Sequence, residues 1–120
     1  MSNIEDWWGR MCEEGRFKGK VVIVTGGGSG IGRAIALRFA REGASVVIFD
    51  LAKERCEEVA REAEALGERA LAIVGDVTKS GDIEGVVEAT MREFGRIDIL
   101  VNNVGGRGAI LLGYKGRGLE

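Results

Sequence analysis

The residues with the clearest chemical capacity are Thr25-Gly26-Gly27-Gly28-Ser29-Gly30-Ile31-Gly32. An apolar run, Val21-Val22-Ile23-Val24, precedes them. A helical pattern follows, with Ile31, Ala34, Ile35, Phe39 and Ala40 recurring at spacings of three and four. The order is therefore buried strand, glycine turn, helix. Such a turn aims the free N–H groups of a helix N-terminus at whatever lies above the strand end. An anionic group fits there, and pyrophosphate is the usual occupant. The spacing of Gly26, Gly30 and Gly32 is G-x-x-x-G-x-G, which differs from the general dinucleotide fingerprint G-x-G-x-x-G. A glycine cluster by itself reads equally as a flexible loop. Its place between strand and helix argues for a binding site, as does Asp50 at the end of the next apolar run.

Two further loops carry polar groups in matching places. Asp76-Val77 follows the third apolar run, and Asn102-Asn103-Val104-Gly105 follows the fourth. Other chemistries are excluded or unsupported. The chain has no histidine, so Ser-His-Asp and Cys-His sites are ruled out. Cys12 and Cys56 match no metal or C-x-x-C spacing, so no metal site is expected. Both read as reduced thiols of a cytoplasmic protein, Cys56 on a buried helix face. A net charge of -2 leaves no basic footprint for nucleic acid. No apolar run approaches the ~20 residues of a membrane span, and the N-terminus lacks a signal-peptide pattern.

The elements that position these loops alternate along 120 residues, a length suited to one domain. Residues 1–16 read as an N-terminal extension, either loosely held or docked through an apolar face containing Trp7, Trp8 and Met11. Strands are expected at Val21–Thr25, Ser45–Asp50, Arg69–Val74 and Ile97–Val101. Helices are expected from about Gly30 to Arg41, from Ala52 to Leu66, and from an N-cap at Thr78 to Phe94. Gly43, Gly67 and Gly95 close these helices. The last helix carries a stripe of Ile83, Val86, Val87, Thr90, Met91 and Phe94. Strands that read as continuous apolar runs mean a parallel sheet covered by helices. Right-handed crossovers give a doubly wound α/β fold with strand order 3-2-1-4. Ligands bind outside the carboxyl ends of such strands, where the glycine turn, Asp50, Asp76-Val77 and Asn103–Gly105 all fall.

These residues resemble the short-chain dehydrogenases/reductases. Thr25 to Gly32 resembles the family's T-G-x-x-x-G-I-G, and Asn102-Asn103-Val104-Gly105 resembles N-N-A-G with Val in place of Ala. Asp50 and Asp76-Val77 stand at matching strand ends. The resemblance covers about Phe17 to Gly105 and implies an NAD(P)-binding Rossmann fold, ending here after the fourth strand, with residues 106–120 a glycine-rich tail. It implies that Gly26, Ser29, Gly30, Ile31 and Gly32 line the pyrophosphate and adjoining ribose. Asp50 and the following Leu51 would border the adenosine. Asp76 would contact the adenine by its side chain and Val77 by its backbone. Asn103, Val104 and Gly105 would lead toward the nicotinamide half, and Asn102 is as readily structural.

Asp50 bears on cofactor choice. A carboxylate at the end of the second strand accepts hydrogen bonds from ribose hydroxyls and repels a 2′-phosphate. Two unit charges ~4 Å apart cost roughly 4 kcal/mol at an effective dielectric near 20, before screening. No Arg or Lys lies in the glycine turn, although Lys53 and Arg55 follow shortly. NAD is therefore expected over NADP.

By resemblance, the family's chemistry is done by a Ser and by Tyr-x-x-x-Lys, all downstream of N-N-A-G. Here Tyr114 is followed directly by Lys115, and no Ser follows Ser80. No catalytic residue is assigned. Two readings stay open: the cofactor-binding portion of an oxidoreductase that moves hydride between NAD(H) and an alcohol or carbonyl, or a non-catalytic nucleotide-binding module. By resemblance a fifth strand flanks Ile97–Val101; without it this edge is expected to self-associate or to take back the Ala109–Leu112 segment.

Overall fold

The computed structural model describes residues 15–103. Val104, Gly105, Trp7, Trp8, Met11, Cys12, Tyr114 and Lys115 lie outside them. The elements alternate: β1 (Val21–Thr25), α1 (Gly30–Arg41), β2 (Ser45–Asp50), α2 (Lys53–Ala65), β3 (Ala70–Val74), α3 (Ser80–Phe94) and β4 (Ile99–Asn102). The strands form one sheet in the order β3-β2-β1-β4. Every pairing is parallel, with Val24 beside Ile48 and Val101, and Ile48 beside Ala72. This is the expected doubly wound order.

The sequence explains why the centre of the sheet is dry. β1 and β2 are runs of Val, Ile and Phe, whose branched or flat side chains suit a pleated surface. Residues of a strand alternate between faces, and both faces of β1 are buried. Val22, Val24, Val46, Ile48 and Val101 face α1 and α2, packing on Ala36, Ala40, Cys56, Val59, Ala60 and Ala63. Small residues on the helices let them sit close to the strands. Ile23, Val47 and Phe49 face the other way and meet Val86, with Ile83 and Phe94 of α3 alongside.

Most boundaries fall where the sequence places them, and the exceptions have local causes. The N-cap of α3 is Lys79, not Thr78. Thr78 instead bonds back to Asp76, its N–H and hydroxyl both reaching Asp76 Oδ1 at 2.9 and 2.7 Å. That turn delays the helix by one residue. β4 begins at Ile99, because Asp98 accepts from Val21 N through its side chain at 2.8 Å before the ladder starts. Val86 and Thr90 of the α3 stripe are buried, whereas Val87 and Met91 stand exposed. The described sheet face covers only part of a stripe that wide. At its other end α3 closes as expected, on Gly95, whose φ of 79° lets its N–H reach Met91 O at 2.8 Å. Among the described residues no helix is long and apolar enough to cross a membrane.

Candidate functional site

The strand order brings the carboxyl ends of all four strands to one edge, with β1 at its centre. There Gly26 turns the chain at a φ of 64° and gives its N–H to Phe49 O of β2 at 2.7 Å. The turn is packed so tightly that side chains are excluded. A Cβ on Gly32 would lie 2.0 Å from Gly26 O, and one on Gly26 would lie 2.4 Å from Asn103 O. The turn, the first turn of α1 and the end of β4 therefore interlock through missing side chains.

Gly30 differs. Its φ is 58°, and a Cβ there would meet nothing within 4 Å. Its outer face is open space. The first intrahelical bond of α1 runs from Arg33 N to Ser29 O at 3.2 Å. The N–H groups of Gly30, Ile31 and Gly32 precede that bond, so they point out of the helix end. Ser29 makes no side-chain cap bond to them. The result is a cradle of backbone donors, carrying the positive end of the helix dipole, above open space.

Asp50 stands beside this cradle. Its Oδ2 accepts from Gly28 N at 2.9 Å and its Oδ1 from Ala52 N at 3.2 Å. A carboxylate has about four acceptor positions, so capacity remains for outside donors. A Cβ on Gly28 would lie 2.9 Å from both Asp50 Oδ2 and Arg55 Cβ, so position 28 also admits no side chain. Leu51, next after Asp50 along the chain, and Ile31, in the first turn of α1, are exposed by 69% and 64%. Below the carboxylate, the Cys56 thiol is buried and donates to Asp50 O or Ile73 O, each 3.6 Å away. Burial, reinforced by the Asp50 charge, pushes that thiol from 9.0 up to about 11.

β3 lies two strands from β1, roughly 10 Å at ordinary strand spacing. Asp76 therefore stands apart from the cradle along the same edge. The Thr78 hydroxyl and N–H bonded to it hold its carboxyl below the usual range. Asp82 Oδ2 accepts from Asp76 N at 2.9 Å and steadies the same turn. The Val77 side chain packs against the core cluster of Ile23, Val47, Phe49 and Val86.

Asn103 gives its N–H to Thr25 Oγ1 at 2.9 Å and its Nδ2 reaches Gly26 O at 3.4 Å. The Thr25 hydroxyl lies 3.0 Å from Asn102 Oδ1 and 3.3 Å from Val101 O and donates to one of them. Asn102 thus ties β1 to β4. Thr25, buried at the hinge of the turn, has a positioning role that sequence reasoning missed. The available signal was a hydroxyl residue closing an otherwise all-aliphatic strand. Gly28, missed as a partner of Asp50, gave no such signal.

The structure thus joins Gly26, Gly32 and Asn103 directly and links Asp50 to the turn through Gly28. It sets Asp76 and Val77 apart on the same edge. Val104 and Gly105, placed in the site by sequence, lie beyond the described residues. Among the described residues no group of three or more His, Cys, Asp or Glu side chains could hold a metal ion.

A parallel sheet, a glycine turn opening a helix, and an acid ending the neighbouring strand define a dinucleotide-binding α/β domain. The chain belongs to the short-chain dehydrogenase family, whose sequence profile matches residues 20–113. That family binds nicotinamide dinucleotides. The chain is 45% identical over 101 residues to the 3-oxoacyl-acyl-carrier-protein reductase FabG of Thermotoga maritima, covering 83% of this chain and 41% of that protein. Its fold is similar to an NAD+-bound xylitol dehydrogenase, with a TM-score of 0.73 and 41% identity, covering 78% of this chain and 36% of the other. It is likewise similar to a hydroxysteroid dehydrogenase of Escherichia coli, with a TM-score of 0.75 and 40% identity, covering 80% and 39%. The chain spans less than half the length of each.

Proposed function

We propose that this edge binds NAD in preference to NADP, as the cofactor-holding part of an oxidoreductase acting on an alcohol or carbonyl. The observation that carries the reading is the placement of Asp50, a carboxylate bonded to the glycine turn itself with acceptor capacity left over. In this reading Gly26, Ser29, Gly30, Ile31 and Gly32 hold the pyrophosphate. Asp50 takes the adenosine ribose hydroxyls, with Leu51 against the adenosine. Asp76 and Val77 meet the adenine, and Asn103, Val104 and Gly105 border the path to the nicotinamide. Bound NAD supplies a hydride acceptor at its nicotinamide ring. The chain's own groups bind and orient it. The NAD+-bound state of the similar xylitol dehydrogenase supports NAD as ligand.

The second reading is a non-catalytic nucleotide-binding module. Within these 120 residues the one tyrosine, Tyr114, is followed directly by Lys115, and the chain spans less than half the length of the relatives it matches. Both readings require NAD binding, and they part on whether the reading frame downstream of Gly105 supplies a Ser and a Tyr-x-x-x-Lys, which translating the DNA in all frames tests.

Binding is tested by calorimetric titration of the unmodified chain and of Gly30→Asp. Asp is among the few residues that adopt a positive φ, and position 30 has open space. The new carboxylate would stand where the pyrophosphate is held. A like charge ~4 Å away costs roughly 4 kcal/mol at a dielectric near 20, and every 1.4 kcal/mol is about tenfold in affinity. NAD binding should fall by up to about 1,000-fold on those figures, with the circular dichroism spectrum retained. A folded Gly30→Asp that bound NAD as well as the parent would overturn the placement.

A further inference from the structure

The outer face of α1 carries an apolar groove that the cofactor reading leaves unexplained. Phe17, Ile31, Ala34, Ile35, Phe39 and the stem of Arg38 line it, and it is an open groove of about 350 Å³. Phe17 and Phe39 stack edge to face at its lower end, with centroids 4.9 Å apart. We propose that the segment Ile4–Met11 of this same chain folds as a short helix and lies in this groove.

The sequence of the segment fits an occupant of that shape. Ile4, Trp7, Trp8 and Met11 fall at i, i+3, i+4 and i+7, a single stripe on a helix. Glu5, Asp6, Gly9 and Arg10 fall on the opposite side. An isolated helix of this length does not form in water, so the stripe needs a surface to form against. Aromatic side chains of this kind bury about 150–250 Å² each, which suits a groove whose walls are aromatic and aliphatic.

The way the chain enters the domain supplies the second argument. Phe17 gives its N–H to Glu42 O at 2.9 Å, and Arg16 Nε lies 3.4 Å from Glu42 Oε1. Glu42 is the C-cap of α1, so the segment leaves the domain at the lower end of the groove. From Phe39 to Ile31 the groove follows α1 for eight residues, about 12 Å at 1.5 Å per residue. The eight residues Ile4–Met11 make a helix of about the same length. Cys12, Glu13 and Glu14 join it to Gly15 and can span about 10 Å. The segment thus reaches the groove and matches its length, with Met11 at the Phe39 end and Ile4 at the Ile31 end, running parallel to α1. Charge agrees as well. Glu13 and Glu14 would pass the end of α1 whose last turn carries Arg38, paired with Glu42, and Arg41.

Trp7 and Trp8 are the only tryptophans in the chain, so the full-length protein reports on the segment directly. The expected result is emission blue-shifted from that of free tryptophan, acrylamide quenching severalfold weaker, and no change on dilution. Ala34 is an exposed residue of α1 that lines the groove. Ala34→Glu puts a carboxylate against the Trp7–Trp8 stripe, where docking would bury an unpaired charge, and should return emission and quenching toward the free values, with helical circular dichroism falling only by the share of this short helix. In the unmodified chain, nuclear Overhauser contacts should join the indole protons to Ile35 and Phe17. Free-like emission, or no contact to Ile35 and Phe17, would overturn the proposal. So would blue-shifted emission that Ala34→Glu leaves in place. Blue-shifted emission lost on dilution would make a second copy the occupant and overturn it equally.

Discussion

Replacing Gly32 by alanine tests whether the turn, α1 and β4 are interlocked as described. Helix propensity alone predicts a gain of about 0.8–1 kcal/mol for Gly→Ala in a helix. Packing predicts the opposite. The new Cβ would lie 2.0 Å from Gly26 O and 2.8 Å from both Gly26 C and Asn103 Nδ2. Gly26 cannot retreat, because its N–H holds Phe49 O at 2.7 Å and Asn103 O closes its other side. Relief requires α1 to move by roughly 1 Å, and overpacking of this kind costs about 1–3 kcal/mol. An approach of 2.0 Å puts the clash in the upper part of that range, so after the propensity gain a net destabilisation of about 1–2 kcal/mol is expected. For a domain of this size that lowers Tm by roughly 5–15 °C. Gly85→Ala is the control. Position 85 lies in α3 with nothing within 4 Å of a Cβ, so it should gain up to about 1 kcal/mol. Thermal or urea unfolding of both variants reads the difference. Gly32→Ala as stable as the parent would refute the interlock.

Two other expectations follow from the same geometry. The Cys56 thiol is raised to about 11 from 9.0. A raised folded-state value means stability is intact below pH 9 and lost as pH climbs toward 11, by on the order of 2–3 kcal/mol. Unfolding measured from pH 8 to 11 checks this, and Cys56→Ala should flatten the decline; an equal decline in that variant would show another group responsible. Among the described residues β4 pairs only with β1, and Val87 and Met91 of α3 are exposed. An unpaired strand beside apolar surface recruits other strands. Light scattering should show mass rising with concentration, and a constant monomer mass with fast amide exchange at Ile99 to Val101 would contradict it.

The frame of this fold was legible because its local signals agree. Val21 to Val24 is apolar throughout, which only a strand buried on both faces needs. Gly43, Gly67 and Gly95 mark helix ends by backbone requirement rather than by pattern. What sequence could not show was contact between distant residues. The bond from Gly28 N to Asp50 Oδ2 joins positions far apart in the chain and exists only because β1 and β2 pair in one register. The hydroxyl of Thr25 reaches Asn102 and Asn103 for the same reason, through the pairing of β1 with β4. The start of α3 was misplaced because two polar groups competed. Thr78 is a good N-cap residue, but Asp76 two positions earlier captured it. Val87 and Met91 matched a buried stripe, yet a stripe says only which residues share a face, not how much of it the sheet covers.

The central claim is that Asp50 directs this edge to NAD. Calorimetric titration of NAD and NADP into the unmodified chain and Asp50→Asn tests it most directly. Asparagine keeps an acceptor for the Gly28 or Ala52 N–H while removing the charge. Repulsion of a 2′-phosphate by the carboxylate amounts to up to about 4 kcal/mol before screening. The unmodified chain should therefore bind NAD at least tenfold more tightly than NADP, about 1.4 kcal/mol or more, and Asp50→Asn should narrow that gap. Equal affinities for the two cofactors in the unmodified chain, or a gap that Asp50→Asn leaves untouched, would contradict the claim.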